Sequence, residues 1–485
     1  MEKLSIAKWD EDQFRSSFRE AAAQYPTGQE IDLDEVVAYH QTIPRTKNIA
    51  EMFTQAHQEG RTLLTPRGGV AEVEPMVALL RFLQEAGEAD ILPINPDTYS
   101  RREQFDKAAH GLEESQKAGR SMLNGFPVVA HGVKGVRRVF EAVDRPIVLR
   151  SATPINRLLG TIAIAGGCTE YVAGAVSLNL CMEYDMSFEK SARDAQYMAW
   201  LTGWLGERGV KITWESDNAA ALGVITTPSI AIVMGIVDLA VAAAQGAKYH
   251  ALAYIPMHNL VQDVAGMRQQ RRLTKLWLDQ LGYTDATIFQ DVHQWNGAFP
   301  EDKARASGLI GLVSAVAAMY GGAEQMICKT SDEGMGVPTK EANAEGLRTS
   351  RQVMNMLRGQ RYPVTAEVEE EERIIELEVK CMMDNIIEMG NGDVLVGMVK
   401  ALKAGTYEFP YAVSKHVVGD VVLLRDATGA VRFSETGKVP FSREVIEYNK
   451  KKIAERKKIE QREEYLMLVD DLRDVRAQLA LEKAA

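Results

Sequence analysis

The chain has 485 residues, 46% of them hydrophobic and 25% charged, which is the balance of a folded protein and excludes a disordered one. A formal net charge of -11 excludes nucleic acid as the main partner, because phosphate binding needs a basic field. Cys168, Cys181, Cys328 and Cys381 lie too far apart for a zinc knuckle or a disulfide framework. The opening MEKLSIAKWDEDQF lacks the apolar core of a signal peptide, so a cytoplasmic setting is expected.

In chain order, short β-rich runs stand at 61–66, 89–94, 126–132, 146–150, 168–174, 210–215, 249–254, 286–291 and 325–330. Between them run segments such as VEPMVALLRFLQEAG, with apolar residues three and four apart, as on one face of a helix. Strand-helix alternation implies parallel strands joined by crossover helices, in either an open doubly wound sheet or a closed (β/α)8 TIM barrel. The barrel is favoured: RGGVAEVEP follows the first strand instead of a GxGxxG fingerprint, and polar residues recur after several different strands. Nine candidate strands for eight places leave one as an addition. The apolar stretch 223–248 is broken by Pro228, Ser229 and Asp238, so it reads as a buried helix and not a membrane span.

The barrel with its N-terminal extension is expected over 1–360, and C-terminal helices with a small β segment packed on it over 361–485. VEEEERIIELEVKCMMDNIIEMG reads as a helix whose acidic run 369–373 is a solvated first turn. Residues 405–440 carry a β pattern, 442–485 a long charged amphipathic helix, and the basic cluster 450–452 reads as surface.

Arg67, Arg101 and Arg150 each follow a different strand, and in a barrel those ends converge on one mouth. Each alone reads as a surface ion-pair residue, but three together suggest an anion pocket, since a guanidinium is always charged and matches the carboxylate fork. Gly68 and Gly69 beside Arg67 would admit a ligand close to the backbone. Lys329 ends an apolar run and Glu333 stands four residues on. The pair could hold sugar hydroxyls, or form a plain ion pair, or supply a Schiff-base lysine. DVHQWNGAFP comes near the cobalt-ligating D-x-H-x-x-G, but Asn296 replaces the glycine. His293 is therefore read as packing or facing a cofactor, and no metal ligand is expected.

PTGQEIDLDEVVAYHQTIP, TPRGGVA, KAGRSMLNGFPVVAHGVKG, HQWNGAFP, KTSDEGMGVPTKEAN and FPYAVSKHVVGDVVLLRD resemble the epsilon subunit family of glutamate mutase (methylaspartate mutase), over residues from about 8 to 475. The resemblance implies an adenosylcobalamin-dependent isomerase, a carbon-skeleton mutase that turns L-glutamate into 3-methylaspartate. It implies a TIM barrel that dimerises, and a small cobalamin-binding subunit that brings the corrin and the cobalt-ligating histidine. The chemistry would start by homolysis of the cobalt-carbon bond, with the protein orienting the substrate and shielding radicals. On this resemblance Arg67, Arg101 and Arg150 bind the substrate carboxylates, and Lys329 and Glu333 bind the adenosyl ribose. Asn124 lies beside the corrin, with Gly69 also on the cofactor side.

One segment departs from the family. Where the family has E-G-G-G-I-S-Y-N-x-P-Y, with the glutamate on the substrate ammonium and the tyrosines on its carboxylate, residues 172–182 read V-A-G-A-V-S-L-N-L-C-M. Val172, Leu178 and Met182 take the substrate-binding positions, and an ammonium buried against Val172 without a partner is costly. Glu170, on the same strand face two residues earlier, or Tyr171 could substitute. The alternatives are the same radical chemistry on a carboxylic acid lacking the amino group, a barrel lyase using Lys329, and a non-catalytic relative that binds the small subunit.

Overall fold

A computed structural model describes residues 4–218 and 225–481. Eight parallel strands run in chain order: β1 Leu63–Thr65, β2 Leu92–Ile94, β3 Ile147–Leu149, β4 Glu170–Ala173, β5 Thr213–Ser216, β6 Tyr249–Tyr254, β7 Thr287–His293 and β8 Gln325–Ile327. Each pairs with its neighbour in sequence from β2 to β8, and β8 pairs back to β1 through Leu63 and Gln325. Between β1 and β2 backbone completes the ring: Asp90 N and Ile91 N donate to Leu64 O at 3.0 and 3.3 Å, and Asn95 N to Gly68 O at 3.2 Å. The fold is the expected (β/α)8 barrel. Its strands are short and almost wholly buried, because helices cover one face and the barrel interior the other.

The surplus candidate strand is 126–132. Phe126 makes only an isolated bridge to Pro96, and the chain then turns into the helix Val128–Glu141. Val128 and Val129 favour a strand locally, but all eight strand places are taken, and both are fully buried from the helix instead.

The amino-terminal end of the barrel is plugged by the helix Ile49–Glu59, capped by Asn48 and ended by Gly60 in the left-handed conformation. Its Ile49, Phe53 and Ala56 pack with Leu63, Val148 and Phe289, the two phenylalanine rings 5.1 Å apart. Only the carboxyl-terminal mouth remains for a ligand.

Of the apolar stretch 223–248, residues 223 and 224 lie outside the described residues. Pro228–Ala244 is a helix buried along nearly its whole length. Its Asp238 accepts from Ser177 Oγ at 2.5 Å, Ser216 Oγ at 2.9 Å and Val176 N at 2.9 Å, which ties the helix to the β4 and β5 loops. No described helix is long and apolar enough to cross a membrane.

Beyond the barrel, the helix Ala366–Gly390 lies against Leu260–Gln280 and Pro228–Ala244, and β9 Val421–Arg425 pairs antiparallel with β10 Val431–Thr436. The acidic run is not wholly solvated. Glu371 is buried and holds both Nη atoms of Arg432, which comes from β10 and could not be buried without carboxylate partners. The expected long terminal helix is two, Arg443–Glu460 and Glu464–Leu481, broken where Gln461 takes a left-handed φ of 50°. Ser414 N and Lys415 N bond Leu180 O and Tyr184 O at 3.2 and 2.9 Å, so C-terminal backbone reaches the barrel mouth.

Candidate active site

A cavity of about 200 Å³ opens at the carboxyl-terminal mouth, lined by Arg67, Asn95, Arg101, Arg150, Ala152, Val172, Met182, Asp217, Asn296 and Lys329. The lining comes from the ends of seven strands, because a barrel carries residues distant in sequence to one rim. All three arginines meet here. Ala152 holds a left-handed φ of 44°, backbone strain of the kind that gathers at functional sites.

Arg150 anchors the floor. Its Nη1 lies 2.5 Å from Glu215 Oε2 and 3.8 Å from Asp291, and its Nη2 lies 3.2 Å from His293 Nε2. Burial works against its charge, but Glu215, Asp291 and Asp217 outweigh burial and raise its pKa. His293 Nε2 is 2.9 Å from Asp291 Oδ2 and 3.4 Å from Glu215 Oε1. Burial again opposes the charge, and Asp291 with Asp217 carries the imidazole pKa up to about 9. Glu215, Asp291 and His293 have the spacing of a metal triad, with ligand atoms within 4.8 Å of one another, but the Arg150 guanidinium already supplies the positive charge at that place.

Arg67 makes no hydrogen bond or ion pair among the described residues, and burial followed by the nearby Arg150 lowers its pKa. Arg101 donates from Nε to Pro96 O at 2.9 Å, which aims the guanidinium and leaves its fork available. Lys329 Nζ stands 3.5 Å from Glu333 Oε2, a loose pair, and burial with repulsion from Arg67 lowers the lysine to about 8.

Four of the expected residues, Leu178, Asn124, Gly69 and Glu333, stand outside the lining. Leu178 is fully buried on the short helix Ser177–Met182. Asn124 is exposed in the loop before Val128, its Oδ1 accepting from Thr98 N at 3.0 Å. Gly69 lies against the backbone of the β2 loop, where a Cβ would come within 2.5 Å of Asn95 O and 3.1 Å of Gly125 Cα.

Neither suggested substitute for the Val172 position lines the cavity. Tyr171 points outward, its hydroxyl 2.9 Å from Thr202 Oγ1 on the helix Phe188–Gly206. Glu170 shares the inner face with Val172 but sits deeper, fully buried with both carboxylate oxygens unpartnered. Burial, then the charge of Glu215, raises its pKa well above the ordinary value.

Sequence reading missed Asp217, the one carboxylate among the described residues of the lining. VKITWESD carries it just past a strand, the same signal that singled out the arginines. Glu215 and Asp291, which hold Arg150, were missed because an acidic residue inside a strand gives no sign of which face it occupies.

The methylaspartate mutase E chain family matches residues 43–480. The glutamate mutase epsilon subunit of Desulfitobacterium hafniense (strain Y51) is 40% identical over 470 residues, covering 97% of each chain. The subunit of the same name from Treponema denticola is 40% identical over 96% of each chain, and that of Yersinia enterocolitica 38% identical over 96% of each.

Proposed function

Because the chain belongs to the methylaspartate mutase E chain family, we propose that it is the catalytic subunit of an adenosylcobalamin-dependent carbon-skeleton mutase, with L-glutamate to 3-methylaspartate as its nearest named reaction. The observation that carries this reading is the convergence of Arg67, Arg101 and Arg150 with Lys329 on one cavity about 200 Å³ in volume. Arg67 and Arg101 offer guanidinium forks to substrate carboxylates, and Arg150, fixed by Glu215, presents a rigid cationic floor. Holding both ends of a flexible acid in one orientation is the main service a protein gives to a rearrangement whose hard chemistry comes from a cofactor.

The residues fit the adenosyl group. Lys329 and Glu333 are too far apart for a strong mutual bond, so donor and acceptor capacity is left for ribose hydroxyls. Asn296 Oδ1 is buried in the lining without a hydrogen-bond partner and can accept one. When bound, adenosylcobalamin would supply the radical that starts the rearrangement. His293, in the sequence that comes near the cobalt-ligating motif, is held by Asp291 and Glu215, which is compatible with a cobalt ligand brought by a small partner subunit. Exposed Tyr99, Met122, Met182, Tyr184, Met335 and Val337 follow β2, β4 and β8 around the same mouth, a rim suited to that partner and the corrin. Asn124 and Gly69 lie on the β2 side of this rim. A dimer of this chain is proposed on the family alone.

The test mixes the chain with a small cobalamin-binding subunit and adenosylcobalamin, and records EPR spectra with L-glutamate and with amino-free dicarboxylic acids. A cobalt(II)-radical signal with either is expected. Silence with every acid sinks the mutase reading. A Schiff-base lyase is the second reading, favoured by the lowering of Lys329 to about 8, which leaves free amine near neutral pH. Borohydride trapping of a carbonyl substrate on Lys329 would establish it.

A further inference from the structure

Asp217 is the one carboxylate among the described residues that line the cavity. It is 4% exposed, and its Oδ1 is buried and accepts no hydrogen bond. His293 Nδ1, also unpartnered, stands 3.7 Å away, beyond hydrogen-bond reach. The other charged groups of the lining are cations: Arg150 is matched by Glu215 and Lys329 by Glu333, while Arg67 and the fork of Arg101 are free.

Along β5 the position of Asp217 follows from the pleat. Glu215 pairs in register with Val172 on β4, and Asp217, two residues on, shares the inner face one layer nearer the mouth. The acidic group therefore stands one strand over from Val172, beside the apolar wall that Val172 and Met182 form.

Guanidinium forks without an acceptor and a carboxylate oxygen without a donor, in one small cavity, specify a ligand with both signs of charge. A diacid without a cationic group would satisfy Arg67 and Arg101 but leave Asp217 Oδ1 buried without a hydrogen-bond donor, with His293 facing it only at 3.7 Å, and close to the ligand's own negative charge. An amino diacid satisfies all three. We propose that Asp217 receives the substrate's ammonium group, so that this cavity selects an α-amino dicarboxylate and Val172 lies beside the substrate without contacting its charge. The assignment rests on the mutase reading above and names the feature of that site which sets its substrate class.

The experiment measures, by calorimetry, the binding of L-glutamate and of glutarate to the complex of this chain with a small cobalamin-binding subunit. Wild type and the variants Asp217→Asn and Asp217→Glu are compared, with folding checked by circular dichroism. Wild type should bind L-glutamate more tightly than glutarate, by roughly tenfold or more. Asp217→Asn should lose affinity for L-glutamate by roughly thirtyfold, as when one partner of a desolvated charge pair is removed. Its affinity for glutarate should hold or improve, and Asp217→Glu should restore part of the preference. If Asp217→Asn weakens both acids equally, Asp217 only positions His293 and the proposal is overturned while the carboxylate pocket stands. Equal or tighter wild-type binding of glutarate overturns it likewise. Binding of neither acid overturns this proposal and the mutase reading together.

Discussion

The two walls of the cavity are built on different principles. The wall running from β8 through β1 and β2 to β3 carries Lys329, Arg67, Arg101 and Arg150, basic groups that follow four separate strands. The wall of β4 and β5 carries Val172, Met182 and a single carboxylate, Asp217. The first wall is redundant. Several cations share the work of holding carboxylates, and each can shift slightly without losing the field. The second concentrates its polar chemistry in one group, so moving that group by one strand changes which side chain meets the substrate without changing the kind of charge present. The comparison teaches that an apolar residue at an expected polar position need not mean lost chemistry when the neighbouring strand end reaches the same space.

Replacing Arg150 with methionine should break the first wall most severely. Glu215 and Asp291 would be left buried beside each other with only His293 between them, at a cost of about 3 kcal/mol in stability as well as lost turnover. Chemical denaturation with a turnover assay checks both, and a variant as stable as wild type would show that His293 alone compensates the two carboxylates. Arg101→Met should spare stability, since among the described residues the Arg101 side chain donates only to Pro96 O, but should lower kcat/KM by roughly hundredfold or more. An unchanged kcat/KM would remove Arg101 from the clamp. The mildest expected effect is at Lys329. Its pKa near 8 means that the ammonium is present below that pH and lost above it, so cofactor affinity should fall as pH rises through about 8. Lys329→Ala should bind cofactor more weakly and with no such step, as followed by cofactor titration across pH. A step that survives the substitution would move the titrating group elsewhere, with His293 at about 9 the next candidate.

The barrel was legible because its signals are local and repeated. Eight of nine β-rich runs became strands, and the ninth failed at 126–132, where Val128 and Val129 have strand propensity but tertiary packing needed a helix. The three arginines and Lys329 were legible because a polar residue just past a buried strand points to the mouth in any barrel. Glu371 was misread as solvated because its partner Arg432 is 61 residues away on another element. Asp217 carries the same signal in VKITWESD, but its place beside Val172 was not legible, because that depends on the pairing of β4 with β5, residues more than forty positions apart.

By itself, then, the amino-acid sequence determined the alternation that makes a parallel barrel and the set of cations that gather at its open end, since both depend on spacing along the chain. Only the tertiary structure decided which carboxylates hold Arg150, that Glu170 lies too deep and Tyr171 faces outward, and that Asp217 shares the cavity with Arg67. Those depend on strand register and on which inner-face layer a side chain occupies. Register is set by pairing between residues tens of positions apart, which no local pattern records.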